Sequence, residues 1–274
     1  MACRSQIPEA GGRVKAASGS ANVEMMKVDL ADARSIDAFC SELEKRQRVL
    51  DVTILNAGIT PPKSRPTEQG QDVMVMVNYL ANFILVSRLL KTGVIPNASI
   101  KGNRGDTRPR LIFISSDSHR GASAIDWNEF GTYQPYGVSK AIHNYSYFKL
   151  LLNTRATETA RRLTHGDEID ICVNVICPGP VNTDIICEAP LALRLVLRSV
   201  FTLFFKAPSK AALPVAYLAA SSKLESRTNF YLHMFDPKQM DPKVYDIDAG
   251  RRLWRESLAV WRRIDDTAGD YAIE

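Results

Sequence analysis

Short apolar runs that do not alternate with polar residues recur along the chain, each followed by a helical stretch. This alternation constrains the fold more than any other feature. Residues 22–30 (NVEMMKVDL), 50–56 (LDVTILN), 110–116 (RLIFISS) and 169–177 (IDICVNVIC) read as strands. Residues 32–47, 67–91 and 135–163 read as helices. A strand with one wet face shows a period of two, whereas a continuous apolar run marks a strand covered on both faces, as in parallel sheets. The chain is therefore expected to be α/β, with a doubly wound parallel sheet. Such sheets carry their ligand sites at the carboxyl ends of the strands.

Composition narrows the function classes. An apolar fraction of 45% and a net charge of only +5 exclude a disordered chain. The excess of 35 Lys and Arg over 30 Asp and Glu is small and scattered, so no nucleic-acid partner is expected. Cys3, Cys40, Cys172, Cys177 and Cys187 form no CxxC pair and no Cys/His ligand spacing, and His143, His165 and His233 show none either. Reduced thiols, no metal and a cytoplasmic location are the expectation. His119 is expected in an exposed loop. The first twenty residues are polar and carry no secretory signal. The most apolar stretch, 189–205, is broken by Arg194 and Arg198 and is short for a membrane span. It reads as a buried or lid helix, with an amphipathic segment touching a membrane surface as the sharper alternative. With no repeat and no long linker, residues 1–274 are expected to form a single domain.

Two residue pairs carry candidate chemistry. Tyr136 and Lys140 lie four apart in YGVSK, near the start of an expected helix, which places both on one helix face. A phenol with its ordinary pKa of about 10 is a poor proton carrier at neutral pH, and a neighbouring ammonium lowers that value. Tyr145 and Lys149 repeat the spacing about half a helical turn round, so only one pair faces a given cleft. Upstream, an expected strand ends in Ser115-Ser116, where a hydroxyl can hold a substrate oxygen. Asn78 sits in an apolar helical stretch and reads either as a satisfied core amide or as part of a polar relay.

Taken together these residues resemble the short-chain dehydrogenase/reductase family. Residues 55–58 (LNAG) are similar to its Asn-Asn-Ala-Gly turn, with Leu55 in place of the first Asn. Asn78, Ser116, Tyr136 and Lys140 follow the order of its catalytic tetrad. Residues 177–183 (CPGPVNT) are similar to the Pro-Gly segment over the nicotinamide, and Asp29 to the acidic residue near the adenine. Residues 2–4, the sequence from Ser115-Ser116 to His119, and 253–257 (LWRES) look like the retinol-dehydrogenase and WW-domain-oxidoreductase-like branch.

The resemblance implies a Rossmann-like fold and hydride transfer between a nicotinamide cofactor and an alcohol or carbonyl carbon. Tyr136 would exchange the proton, Ser116 hold the oxygen, Lys140 lower the phenol's pKa and Asn78 anchor a water relay. Cofactor contacts would come from Arg4, Asp29, Leu30, Asn56, Ala57 and Gly58. Tyr136, Lys140, Pro178, Gly179, Val181 and Thr183 would complete them. Arg4, just past the family's second strand, implies NADP(H) through pairing with the 2′-phosphate, NAD(H) being the alternative. Segment 189–206 falls where the family keeps its substrate lid, implying a hydrophobic small-molecule substrate and weak contact with a membrane surface. A C-terminal helix and tail over 250–274 and a homodimer complete the expectation.

One departure is large. The family opens with a strand, a TGxxxGxG turn and a helix that cradle the pyrophosphate. Gly11, Gly12 and Gly19 fall in a polar stretch with no strand signal before them. If residues 2–4 end the family's second strand, the chain is N-terminally truncated relative to the family by about thirty residues, the usual length of a βα unit. Neighbouring strands would then lack a partner beside an apolar cavity, at about 1–3 kcal/mol per unpaired buried group. The alternative reading is thus a catalytically impaired pseudoenzyme or interaction module. A nucleotide-sugar epimerase shares Tyr-xxx-Lys, but the short C-terminal part and 178–183 (PGPVNT) count against it.

Overall fold

A computed structural model of the chain describes residues 1–5, 7–102, 107–181 and 207–273. Thr183 and the expected lid segment 189–206 lie outside them. The chain runs β1 (Ala2–Cys3), α1 (Ile7–Ser18), β2 (Met26–Lys27), α2 (Ala33–Lys45), β3 (Val52–Leu55), α3 (Val73–Thr92) and α4 (Ala98–Lys101). It continues with β4 (Arg110–Ile114), α5 (Val138–Arg162), β5 (Thr164–His165), β6 (Glu168–Ile169) and β7 (Cys172–Cys177). After the undescribed segment come α6 (Pro208–Ala220), β8 (Phe230–His233), β9 (Asp236–Lys238) and α7 (Ile247–Ile264).

The main sheet has the order β3-β4-β7-β8-β9, with the first four strands parallel and β9 antiparallel. This is the mostly parallel α/β sheet that the apolar runs anticipate. Every residue of β4 and β7 is buried, because helices cover both faces. Leu111 and Phe113 of β4 face a large core with Ile36 and Leu43 of α2, Phe83 and Leu89 of α3, Leu150 of α5 and Trp261 of α7. Ile112 and Ile114 face the opposite way, against Ile176, Leu232 and Leu218 of α6.

Local signals set the helix boundaries. Asp32 caps α2 by accepting from Arg34 N, and Ile36, Cys40 and Leu43 form its buried stripe. Asp72 caps α3 by accepting from Met74 N, and Gly93, at φ +81°, stops it. The helix α3 is apolar and long enough to cross a membrane, but 83% of its most apolar window is buried inside the protein, as in a core helix. Within it, Met76–Leu80 forms a π-helical turn, a local bulge that re-aims side chains.

Strands β1 and β2 pair with each other in a separate parallel ladder, and among the described residues none joins them to β3. The edge strand β3 therefore leaves Val52 and Ile54 38% and 44% exposed. Gly11 and Gly12, read above as lying in a polar stretch with no strand signal before them, lie inside α1.

Candidate active site

A cavity of about 1020 Å³ opens at the carboxyl ends of β3, β4 and β7. Its walls come from the 56–61 turn after β3, Ser115 and Ser116 after β4, Pro178, Gly179 and Val181 after β7, and α6. The helix α5 contributes Ile142, Tyr145 and Lys149, which share one helix face. The cleft thus gathers Asn56, Ala57, Gly58, Ser116, Pro178, Gly179 and Val181 as the sequence anticipates.

It does not gather Tyr136 and Lys140. The helix α5 starts at Val138, with Gly137 as its extended cap, so Tyr136 lies outside the helix and the four-residue spacing no longer means a shared face. The Tyr136 backbone bridges to Ser64: its N–H donates to Ser64 Oγ at 3.1 Å, and its carbonyl accepts from Ser64 N at 3.1 Å. Both Tyr136 and Lys140 line a different cavity. Burial and the neighbouring Asp72 carboxylate push the Tyr136 phenol up. The expectation that this pair faces Ser116 is corrected: Tyr145 and Lys149 do.

The Lys149 ammonium is deep in the protein, with the side chain 3% exposed. It donates to Ile114 O at 2.8 Å and lies 5.5 Å from the centre of the Tyr145 ring. Burial pulls Lys149 down to about 8 and pushes Tyr145 up to about 12. Gly58 packs beside both groups: a Cβ there would stand in ordinary contact, 3.7 Å from Lys149 Nζ and 3.4 Å from Asn78 Oδ1. Asn78 lies on the π turn, fully buried, and clamps this loop: Oδ1 accepts from Ile59 N and Nδ2 donates to Ile59 O, both at 2.8 Å. Of the two readings left open for Asn78, the geometry is that of a satisfied buried amide, with Oδ1 and Nδ2 both engaged by Ile59.

Ser116 caps the turn that follows β4, accepting from Ser118 N at 3.2 Å, while Ser115 Oγ is buried without a hydrogen-bond partner. Gly179 adopts φ +80°, and a Cβ there would meet the Met234 side chain at 3.1 Å. Arg4 is exposed just past β1, and Asp29 and Leu30 follow β2, with Asp29 Oδ1 accepting from Ala31 N. These three belong to the separate ladder and do not line the cleft.

Sequence reasoning missed a network at the ends of β4, β7 and β8. Asp117 pairs with His233 Nδ1 at 2.8 Å and accepts from Tyr231 Oη, and its N–H donates to Cys177 Sγ at 3.3 Å. The ligand atoms of Asp117, Cys177 and His233 lie within 4.8 Å of one another. Arg120 Nε at 3.6 Å and Lys238 Nζ at 3.9 Å stand against the same carboxylate, so its charge is already matched and the cluster works as an ion-pair tie between strand ends. His119 is fully buried rather than exposed, with Nδ1 at 2.7 Å from Ser116 O and Nε2 accepting from Asp241 N.

The family model for short chain dehydrogenases matches residues 4–190. Human retinol dehydrogenase 14 is 30% identical over 239 residues, covering 86% of this chain and 66% of that protein. Human polyprenol dehydrogenase is 27% identical over 265 residues, covering 96% of this chain and 76% of the relative. Among solved structures, the Pseudomonas aeruginosa RhlG/NADP active-site complex superposes with a TM-score of 0.58 at 19% identity, covering 85% of this chain and 83% of that one.

Proposed function

Because the chain belongs to the short-chain dehydrogenase family, we propose that it transfers a hydride between NADP(H) and an alcohol or carbonyl carbon of a hydrophobic substrate. One observation carries this reading. Tyr145 and Lys149, one helical turn apart on α5, face the cleft formed by the 56–58 turn, Ser115-Ser116 and Pro178-Gly179.

The residues present fit the nicotinamide end of such a cofactor: Gly179 adopts the backbone a side chain would strain, Ser115 offers an unpaired buried hydroxyl, and Lys149 supplies an ammonium. The cofactor, when bound, supplies or accepts the hydride. Tyr145 exchanges the proton with the substrate oxygen, and Ser116 hydrogen-bonds that oxygen and holds it near the phenol. Lys149 acts on Tyr145 electrostatically; in so dry a site, a positive charge lowers a phenol's pKa more than it would in water. Asn78 keeps the 56–59 turn in place through Ile59. Arg4, exposed past β1, favours NADP(H) over NAD(H) by pairing with a 2′-phosphate. Ile54, Val77, Ile114, Ile142 and Val215 give the cleft apolar walls, which suits a retinoid- or polyprenol-like alcohol.

The test is a pair of conservative variants assayed for NADPH-dependent reduction of apolar aldehydes. Tyr145→Phe is expected to abolish turnover and Tyr136→Phe to leave it within about twofold. Loss in Tyr136→Phe with full activity in Tyr145→Phe refutes the assignment. A second reading, an impaired or non-enzymatic module, is favoured by the separation of the β1–β2 ladder from β3 and by Gly11 and Gly12 lying inside α1. Titrating NADPH by its fluorescence separates the two readings. Saturable micromolar binding supports the enzyme, and none up to millimolar supports the module.

A further inference from the structure

A second cavity, of about 480 Å³, borders a different face of α5 and shares no residue with the cleft. Its volume falls in the range of small-molecule sites. Val75, Tyr79 and Leu80 of α3, Phe130 of the preceding loop, Tyr147 and Phe148 of α5, and Val260 of α7 form its apolar walls.

Two features give it chemistry. First, Tyr136 lines it and is 9% exposed, and no group within hydrogen-bond distance donates to its hydroxyl oxygen. The Asp72 carboxylate stands beside that phenol, 3% exposed and anchored by Met74 N and Arg65 N. With the phenol hydrogen engaged by Asp72, the oxygen keeps its lone pairs for a donor. Second, the lining is acidic. Asp72, Asp126 and Glu129 stand against a single lysine, Lys140, with His143 at the mouth. Arg263, nearby, is spent on the Gly131 carbonyl at 3.2 Å, and Arg65 approaches Tyr136 from outside the lining. Ring faces attract cations, and Tyr79, Phe130, Tyr136, Tyr147 and Phe148 bring five rings to the wall.

We propose that this cavity is a binding site for a small apolar amine in its ammonium form, whose N–H donates to Tyr136 Oη while its hydrocarbon body lies among the rings.

The probe is phenethylammonium, titrated calorimetrically into the full chain, with phenethyl alcohol as the neutral counterpart of nearly the same shape. The ammonium is expected to bind at least tenfold more tightly than the alcohol. Tyr136→Phe, which removes only that hydroxyl, is expected to weaken it at least fivefold. Filling the cavity with Val260→Phe is expected to weaken both probes, whereas Ala212→Trp, on the wall of the other cleft, leaves both unchanged. Equal affinity for the two probes, no effect of Tyr136→Phe, or no heat from phenethylammonium at millimolar concentration overturns the proposal. Loss of binding in Ala212→Trp does so too, by placing the probe in the other cavity.

Discussion

Replacing Lys149 by Met should stabilise the cofactor-free protein while removing its activity. Lys149 is fully buried, and burial moves it from its ordinary 10.5 to about 8. At about 1.4 kcal/mol per pH unit, holding the ammonium in the cleft at neutral pH costs about 3 kcal/mol. Methionine occupies a similar volume without the charge, but leaves Ile114 O without its 2.8 Å donor. An unpaired buried carbonyl costs about 1–3 kcal/mol. The balance is a gain of roughly 0–2 kcal/mol at pH 7. The sign with pH follows from proton linkage. Because the folded-state pKa is depressed, the unfolded chain binds more protons between about 8 and 10.5, so native stability rises with pH across that window. The penalty is therefore complete below pH 8 and gone above 10.5, and the advantage of the variant should shrink between these values. Urea unfolding of both proteins at pH 7, 8, 9 and 10 measures this difference, with titrations common to both cancelling. A variant less stable than the wild type at pH 7, or a difference that stays flat from pH 7 to 10, would refute the reasoning. A catalytic group held at a cost to stability is the pattern expected of active sites.

Two further outcomes are expected. Arg155 is fully buried between Phe83, 4.3 Å from the ring centre, and Trp254, at 3.7 Å, and none of its guanidinium nitrogens has a hydrogen-bond partner. Arg155→Met keeps the packing and removes the buried charge, so urea unfolding should show a gain of about 1–3 kcal/mol; a loss would show the ring stacking to be worth more than the desolvation. Asn78→Ala removes both bonds to Ile59 and should cost about 2–3 kcal/mol, with faster amide exchange at Ile59 by NMR; a cost below about 0.5 kcal/mol would mean the clamp is not holding the turn.

The residues determine much of this protein before any folding is considered. The apolar runs in 110–116 and 169–177 mark β4 and β7 as doubly covered strands, because apolar neighbours such as Leu111, Ile112, Phe113 and Ile114 point alternately to both faces of a strand and so need both covered. Asp32, Asp72 and Gly93 fix helix ends through their own backbone chemistry. The LNAG turn, Ser116 and Pro178-Gly179 reach the cleft because each directly follows a strand, and a parallel sheet brings strand ends together whatever the rest of the chain does.

Which tyrosine faces them is decided elsewhere. Two Tyr-xxx-Lys repeats, nine residues apart, have equal local merit. Pro135 does not separate them, because it suits the first turn of a helix as well as the chain before one; the helix begins at Val138. Once α5 starts there, Tyr136 is held by Ser64 from a distant loop, and the apolar stripe of α5 turns Tyr145 and Lys149 toward the strand ends. The Asp117–His233–Tyr231–Cys177 tie joins residues up to 116 positions apart, so no local pattern encodes it. Segments near in sequence choose their conformation by local backbone energetics. Side chains distant in sequence meet only after the core has fixed which helix face is buried, and in this protein that choice selects which Tyr-xxx-Lys pair faces the cleft.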